Sequence, residues 1–202
     1  TVSTIQADLN TVAGRERIIA ACLDPDILVN NNAGPPPGDW AGFQHEDWLA
    51  ALESNLLAPI ALIQAYVPRM RARRFGRVVN ITSAMVKAPL VHMSLSTTAR
   101  AGLTAFCKAV SRDVAVDNVT INNLLPERID TGRQQFMIER RAKLDKVSLE
   151  DARRTITNTI AAKRFGTPEE FASICAYLCS DLAGFISGQN VQVDGGTYPG
   201  LM

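Results

Sequence analysis

Four short apolar runs in this chain each stop at a cluster of small polar or turn-forming residues, and helix-patterned stretches separate them. DILVN at 26–30 runs into NNAG, RVVNI at 77–81 into TSA, NNLL at 122–125 into PE, and VQV at 191–193 into DGG. Short runs rich in Val, Ile and Leu without polar alternation read as strands buried on both faces. Strands that alternate with helices imply a parallel sheet covered on both sides, a three-layer α/β/α arrangement. The four polar clusters then gather at the C-terminal edge of the sheet, where open α/β folds bind ligands.

The intervening stretches carry helical signals. Residues 46–70 place Leu49, Leu52, Leu56, Ile60, Ile63, Val67 and Met70 at three- and four-residue spacings, and 96–116 do the same with Leu103, Phe106, Val110 and Val114. Asn55 lies mid-helix with Pro59 four residues on. Lacking an N–H, Pro59 should leave the Asn55 carbonyl free and kink the helix. Residues 11–23 have helical composition, ended by Asp24-Pro25. Thr167-Pro168-Glu169-Glu170 supplies a cap, a proline at the first helical position and acids in the first turn of a further helix. Residues 2–7 alternate and read as a strand with Asp8 at its exit. Residues 127–165 are charged and only weakly periodic, and read either as solvated helices or as a lid over the crevice. A single domain over 1–202 accommodates all of this.

The formal net charge of +1 over 202 residues offers no field for nucleic acid or a membrane surface. No apolar run approaches the ~20 residues of a spanning segment, and no signal-peptide pattern is present, so a cytoplasmic location and a small-molecule partner are expected. Cys22, Cys107, Cys175 and Cys179 fall in apolar helix-like segments and read as core thiols, with no metal spacing among them. The residues that suggest a site are Ser83, at a strand exit, and Ser96 and Arg100, one helical turn apart in the next helix.

The order of NNAG (31–34), mid-helix Asn55, NITS (80–83), RFGTPEEFA (164–172) and SGQNVQVDGG (187–196) resembles the short-chain dehydrogenases/reductases, including the 3-oxoacyl-carrier-protein reductases, over essentially the whole chain. The resemblance implies a Rossmann-like doubly wound sheet, NAD or NADP as cofactor, and a carbonyl or secondary-alcohol substrate, 3-oxoacyl compounds included. That family works with an Asn, Ser, Tyr, Lys tetrad. Asn55 matches the Asn, and Ser83 the Ser that hydrogen-bonds the substrate oxygen. Ser96 and Arg100 stand at the Tyr and Lys positions, Arg100 retaining the means to hold a ribose. Asn32, Ala33 and Gly34 match the turn beside the adenosine ribose, and Asp8 the acidic residue near the adenine. Pro126 and Ile129 match the loop near the nicotinamide, with Glu127 where glycine is usual.

The family's glycine-rich turn lies upstream of anything in this sequence. In the family's strand order a strand at 2–7 would have no neighbours, so the N-terminal part of the domain is expected to be missing, or this strand to have moved. Homodimers or homotetramers built on the long helices are also implied. The changes at 96 and 100 open an alternative, a catalytically impaired nucleotide- or ligand-binding homologue or the structural subunit of an oligomer.

Overall fold

The computed structural model describes residues 1–201. Four parallel strands, β1 (Ile27–Asn30), β2 (Gly76–Ile81), β3 (Val119–Pro126) and β4 (Asn190–Val193), stand side by side in chain order. Helix α1 (Val12–Ala21) precedes β1, and the crossovers between strands carry α2 (His45–Leu52), α3 (Ala58–Ala72), α4 (Ser94–Val114), α5 (Gly132–Asp145), α6 (Leu149–Thr159) and α7 (Pro168–Cys179). The expected α/β layering is present, and the central strands owe their uniform apolarity to burial on both faces, Val78, Val79, Ile121 and Leu124 being fully inaccessible.

On one face Val78, Val119 and Ile121 pack against Leu62, Ile63, Val67 and Met70 of α3 and Leu103, Cys107 and Val114 of α4. On the other, Val79 and Leu124 pack against Leu178 of α7, with Phe171, Ile174 and Val191 around them. Helix α7 reaches β2 and β3 but not β1. Ile27 and Val29, which alternate onto that face, are accordingly each 45% exposed. The strand expected at 2–7 does not form. Alternation makes a strand only where a neighbour completes the ladder, and β1 pairs with β2 alone.

Helices α2 and α3 join through one π-helical turn, Glu53–Leu57, where Ala58 N bonds Glu53 O five residues back. Carrying that register forward sets Pro59, which has no N–H, against Ser54 O. This carbonyl instead accepts from Asn32 Nδ2 at 2.6 Å. The Ser54 carbonyl is thus left without a helical donor, and a π turn takes the place of the simple kink expected at Asn55. The continuous helix His45–Ala72 is long and apolar enough, by length and composition, to cross a membrane. Its C-terminal half gives Leu62, Ile63, Tyr66, Val67 and Met70 to the core, Leu49 and Leu57 stay about half exposed, and Asn55, Pro59 and Gln64 interrupt any continuous apolar run in the sequence.

Segment 127–165 folds as the antiparallel pair α5 and α6 with a core of its own, Ile138, Ala142, Ala152, Ile156, Ile160 and Phe165. Only one narrow stripe of each helix is buried, which is why the sequence shows weak periodicity. Of the four thiols only Cys107 is buried; Cys22 is exposed, because it caps the end of α1 rather than lying inside it.

The cap of α7 forms as the sequence predicts. Thr167 Oγ1 accepts from Glu170 N at 3.2 Å, and Glu170 Oε2 accepts from Thr167 N at 2.8 Å. Hydrogen bonds from Arg164, and then from the Thr167 backbone, pull the Glu170 carboxyl down to about 2. A depressed carboxylate favours the fold above the ordinary carboxylate range, and its contribution fades as pH falls toward 2. Thr167→Ala should lower stability by about 1 kcal/mol in urea unfolding at neutral pH.

Candidate active site

The C-terminal ends of β1, β2 and β3 open into a crevice of about 650 Å³, within the usual range for small-molecule sites. Its walls are the turn Asn31–Gly34 after β1, Ile81–Ser83 ending β2, and the loop from Pro126 to Ile129 after β3. Helix α4 contributes Ser96 and Arg100, and α5 contributes Arg133 and Gln134.

Four in-register asparagines set the height of these strand ends. Asn30 pairs in register with Asn80, Asn80 with Asn123, and Asn123 with Asn190. Each side-chain amide donates to the next: Asn30 Nδ2 to Asn80 Oδ1 at 2.8 Å, Asn80 Nδ2 to Asn123 Oδ1 at 3.1 Å, and Asn123 Nδ2 to Asn190 Oδ1 at 2.9 Å. Asn80 also donates to Cys107 Sγ at 3.2 Å. Burial pushes that thiol up to about 12, so it remains protonated at neutral pH and is a poor nucleophile. The loop after β3 is held separately, by a parallel bridge between Ile129 and Gly166. Gly166 N donates to Arg128 O at 3.0 Å, and Asp130 N to Gly166 O at 2.8 Å.

Arg100 is the centre of the crevice. It is 8% exposed, donating from Nη1 to Ser96 Oγ at 2.8 Å and from Nη2 to Asn32 O at 3.2 Å. No carboxylate among the described residues forms an ion pair with it. Burial, with a smaller repulsion from Arg133, brings its guanidinium down to about 10. Gly34 makes room for it: a Cβ there would lie 3.1 Å from Nη1. Ser83 is half-buried at the exit of β2, its Oγ accepting from Met85 N at 3.2 Å, which leaves the hydroxyl proton available.

Ser83, Ser96, Arg100, Asn32, Ala33, Gly34, Pro126 and Ile129 are thus brought into one crevice. Asn55 is not among its lining residues. It is 3% exposed and braces the wall from behind, Nδ2 donating to Ala33 O at 3.3 Å and Ser54 Oγ at 2.6 Å. Asp8 lies apart, in a shallow hollow with Gln6, Ala7, Gly14 and Arg17. Lys87 sits 5.8 Å above the Tyr198 ring and outside the crevice lining, whereas His92 is part of it.

The sequence reading missed Arg133 and Gln134. Their one sequence signal is position, in the first turn of the helix that follows β3. Glu127 projects into the crevice where the resembled family usually has glycine. Burial pushes its carboxyl up, opposed by Arg128 at 3.6 Å.

A family model described as enoyl-(acyl carrier protein) reductase matches residues 5–198. NADPH-dependent reductase BacG of Bacillus subtilis is 32% identical over 96% of this chain and 76% of its own length. Acetoacetyl-CoA reductase of Cupriavidus necator is 33% identical over 95% and 73%. Among solved structures, YwfH, an NADPH-dependent reductase involved in bacilysin biosynthesis, superposes with a TM-score of 0.90 at 30% identity, covering 98% of this chain and 78% of that one. A variant of actinorhodin polyketide ketoreductase with NADPH gives 0.89 at 29% identity, over 95% and 76%.

Proposed function

The chain belongs to the short-chain dehydrogenase/reductase family, a family of NAD(P)-dependent oxidoreductases, and on that premise we propose that it interconverts a carbonyl and a secondary alcohol, 3-oxoacyl compounds included, with Ser83, Ser96 and Arg100 as the catalytic groups. The observation that carries this reading is the linked pair Ser96–Arg100, buried and facing the same crevice as Ser83.

The crevice fits the nicotinamide-ribose end of the cofactor. After its bonds to Ser96 and Asn32, the Arg100 guanidinium still has N–H groups to offer a ribose, and Gly34 leaves them uncovered. Asn32 to Gly34, Pro126 and Ile129 would form the walls around it, with Asp8 at the distant adenosine end. Held there, a nicotinamide would supply the hydride exchanged with the substrate carbon.

The protein's own task is the oxygen. Ser83 Oγ–H and Ser96 Oγ–H donate hydrogen bonds to it and stabilise the charge that develops. Ser96 Oγ is the group placed to pass a proton to the oxygen, and the charged Arg100 guanidinium, whose Nη1 donates to it from 2.8 Å, stabilises the alkoxide left behind until solvent reprotonates it. The buried cation also stabilises the oxyanion directly. Asn55 acts by holding the wall at Ala33. Residues 127–165, with helices α5 and α6, form a lid over the crevice, drawn to the β1 loop by Arg133 Nη2 donating to Pro35 O at 3.1 Å. We place the protein in the cytoplasm as a single-domain subunit of a homodimer or homotetramer.

A second reading rests on the same two residues. Without a phenol the chain is a binding homologue that has lost turnover. Titration with NADH and NADPH, followed by absorbance with a panel of ketones and 3-oxoacyl thioesters, separates the two. Cofactor-dependent turnover is expected; tight cofactor binding with no turnover selects the second reading, and no binding sinks both.

A further inference from the structure

The crevice holds more positive charge than its own residues neutralise. Three arginines line it, Arg100 at the base, Arg128 and, toward solvent, Arg133, against the single carboxylate of Glu127, and Arg128 already faces that carboxylate at 3.6 Å. Arg133 donates to the Pro35 carbonyl and its guanidinium lies 5.4 Å from the Phe136 ring centroid; like Arg100, it has no ion-pair partner among the described residues. Beside it Gln134 is 5% exposed and its buried Nε2 has no hydrogen-bond partner. A buried amide N–H without an acceptor is costly, and burying the Arg100 cation without an anion more so, while the exposed Arg133 offers a second guanidinium beside them. Both costs are relieved by one ligand group, an anion accepting from Gln134 Nε2 between the two guanidinium groups.

We propose that the crevice recognises its substrate through a carboxylate held by Arg133 and Gln134 with Arg100 beneath it, so that the preferred substrates are small oxo acids or hydroxy acids rather than neutral ketones. A carboxylate suits the arrangement because its two in-plane oxygens accept from a guanidinium and an amide at once. Arg100 also touches Ser96, which sets the anion and the reacting oxygen at the same end of the crevice. The proposal rests on the reductase reading in taking the ligand to be substrate. The competing source of negative charge is the cofactor's diphosphate.

Calorimetric titration with malonate, which has no ketone to reduce, tests this without turnover. Malonate is expected to bind the wild-type protein both without cofactor and with saturating NADPH, and neutral malonamide is expected not to bind. Arg133→Gln and Gln134→Leu should each weaken malonate binding at least ten-fold while leaving the thermal unfolding transition in place. Failure of malonate to bind the wild-type protein overturns the carboxylate site, as does unchanged affinity in both variants. Competitive displacement of malonate by NADPH assigns the charge to the diphosphate and overturns the substrate assignment. Malonate binding with no NADPH binding sinks the reductase reading instead and leaves the carboxylate site standing.

Discussion

Replacing Ser96 by Tyr and Arg100 by Lys together is expected to raise kcat for ketone reduction by about 10²- to 10⁴-fold, the range contributed by a positioned general acid. An aliphatic hydroxyl yields its proton far less readily than a phenol, whose ordinary pKa of ~10 an adjacent cation lowers further. In the native site the proton must come from Ser96 Oγ, whose release of it is supported only while Arg100 beside it is charged, and burial brings that guanidinium down to about 10. Reduction by the native protein should therefore hold steady at neutral pH and decline as pH rises through about 10. In the double variant the decline should move to lower pH, because the phenol has become the titrating donor. Room exists for the change: Ser96 opens on the crevice, and a lysine at 100 vacates the space in which Gly34 now faces the guanidinium. Single-turnover rates with excess NADPH are the measurement, with affinity for NADPH followed separately. A double variant that binds NADPH as the native protein does, yet gains nothing, would show that proton delivery is not what limits the native site.

Much of this arrangement can be traced to the sequence. Each of β1 to β4 announces itself as an apolar run ending in polar residues: in β2 and β3 burial on both faces leaves no room for alternation, β1 and β4 keep the apolar run although partly exposed, and all four exits must turn. The same logic placed Ser83, Ser96 and Arg100 in one crevice before their distances were known. It failed at residues 2–7, where alternation was read as a strand although pairing, a non-local property, decides whether one forms. At Asn55 a local count leads to a simple kink where the chain takes a π turn, because the Ser54 carbonyl that this turn leaves without a helical donor is met by the Asn32 amide from the loop after β1. Arg133 and Gln134 were hidden for a different reason: α5 buries only Gln134, Ile138 and Ala142, so nothing in its pattern marks which polar residues face the crevice. Charge inside a cavity becomes legible only when the elements that surround it are assembled.

Asn80→Ala is the substitution expected to cost most in stability, on the order of 3–6 kcal/mol, a large share of a typical domain's 5–15 kcal/mol. Asn80 is fully buried and is the inner rung of the asparagine ladder, accepting from Asn30 and donating to Asn123. Its loss removes these two bonds and the one to Cys107 Sγ, and leaves Asn30 Nδ2 and Asn123 Oδ1 buried with those partners gone. Replacing all of Asn30, Asn80 and Asn123 with Leu should be markedly less costly than three times the single effect, because no buried amide in those positions is then left unpaired. Urea unfolding of the single, double and triple variants measures this directly, and strictly additive effects would show that the rungs do not act together. The ladder also bears on the site. A one-residue slip between β2 and β3 would turn the side chains of one strand to the opposite face and set Asn80 against Leu124 or Asn122 in place of Asn123. The chain Asn30–Asn80–Asn123–Asn190 closes in the register that brings the turn after β1, Ser83 after β2 and Pro126 of β3 to a common height. Variants that break the ladder should accordingly lose carbonyl-reducing activity at urea concentrations below those that unfold the helices, as the strand ends lose alignment before the core does.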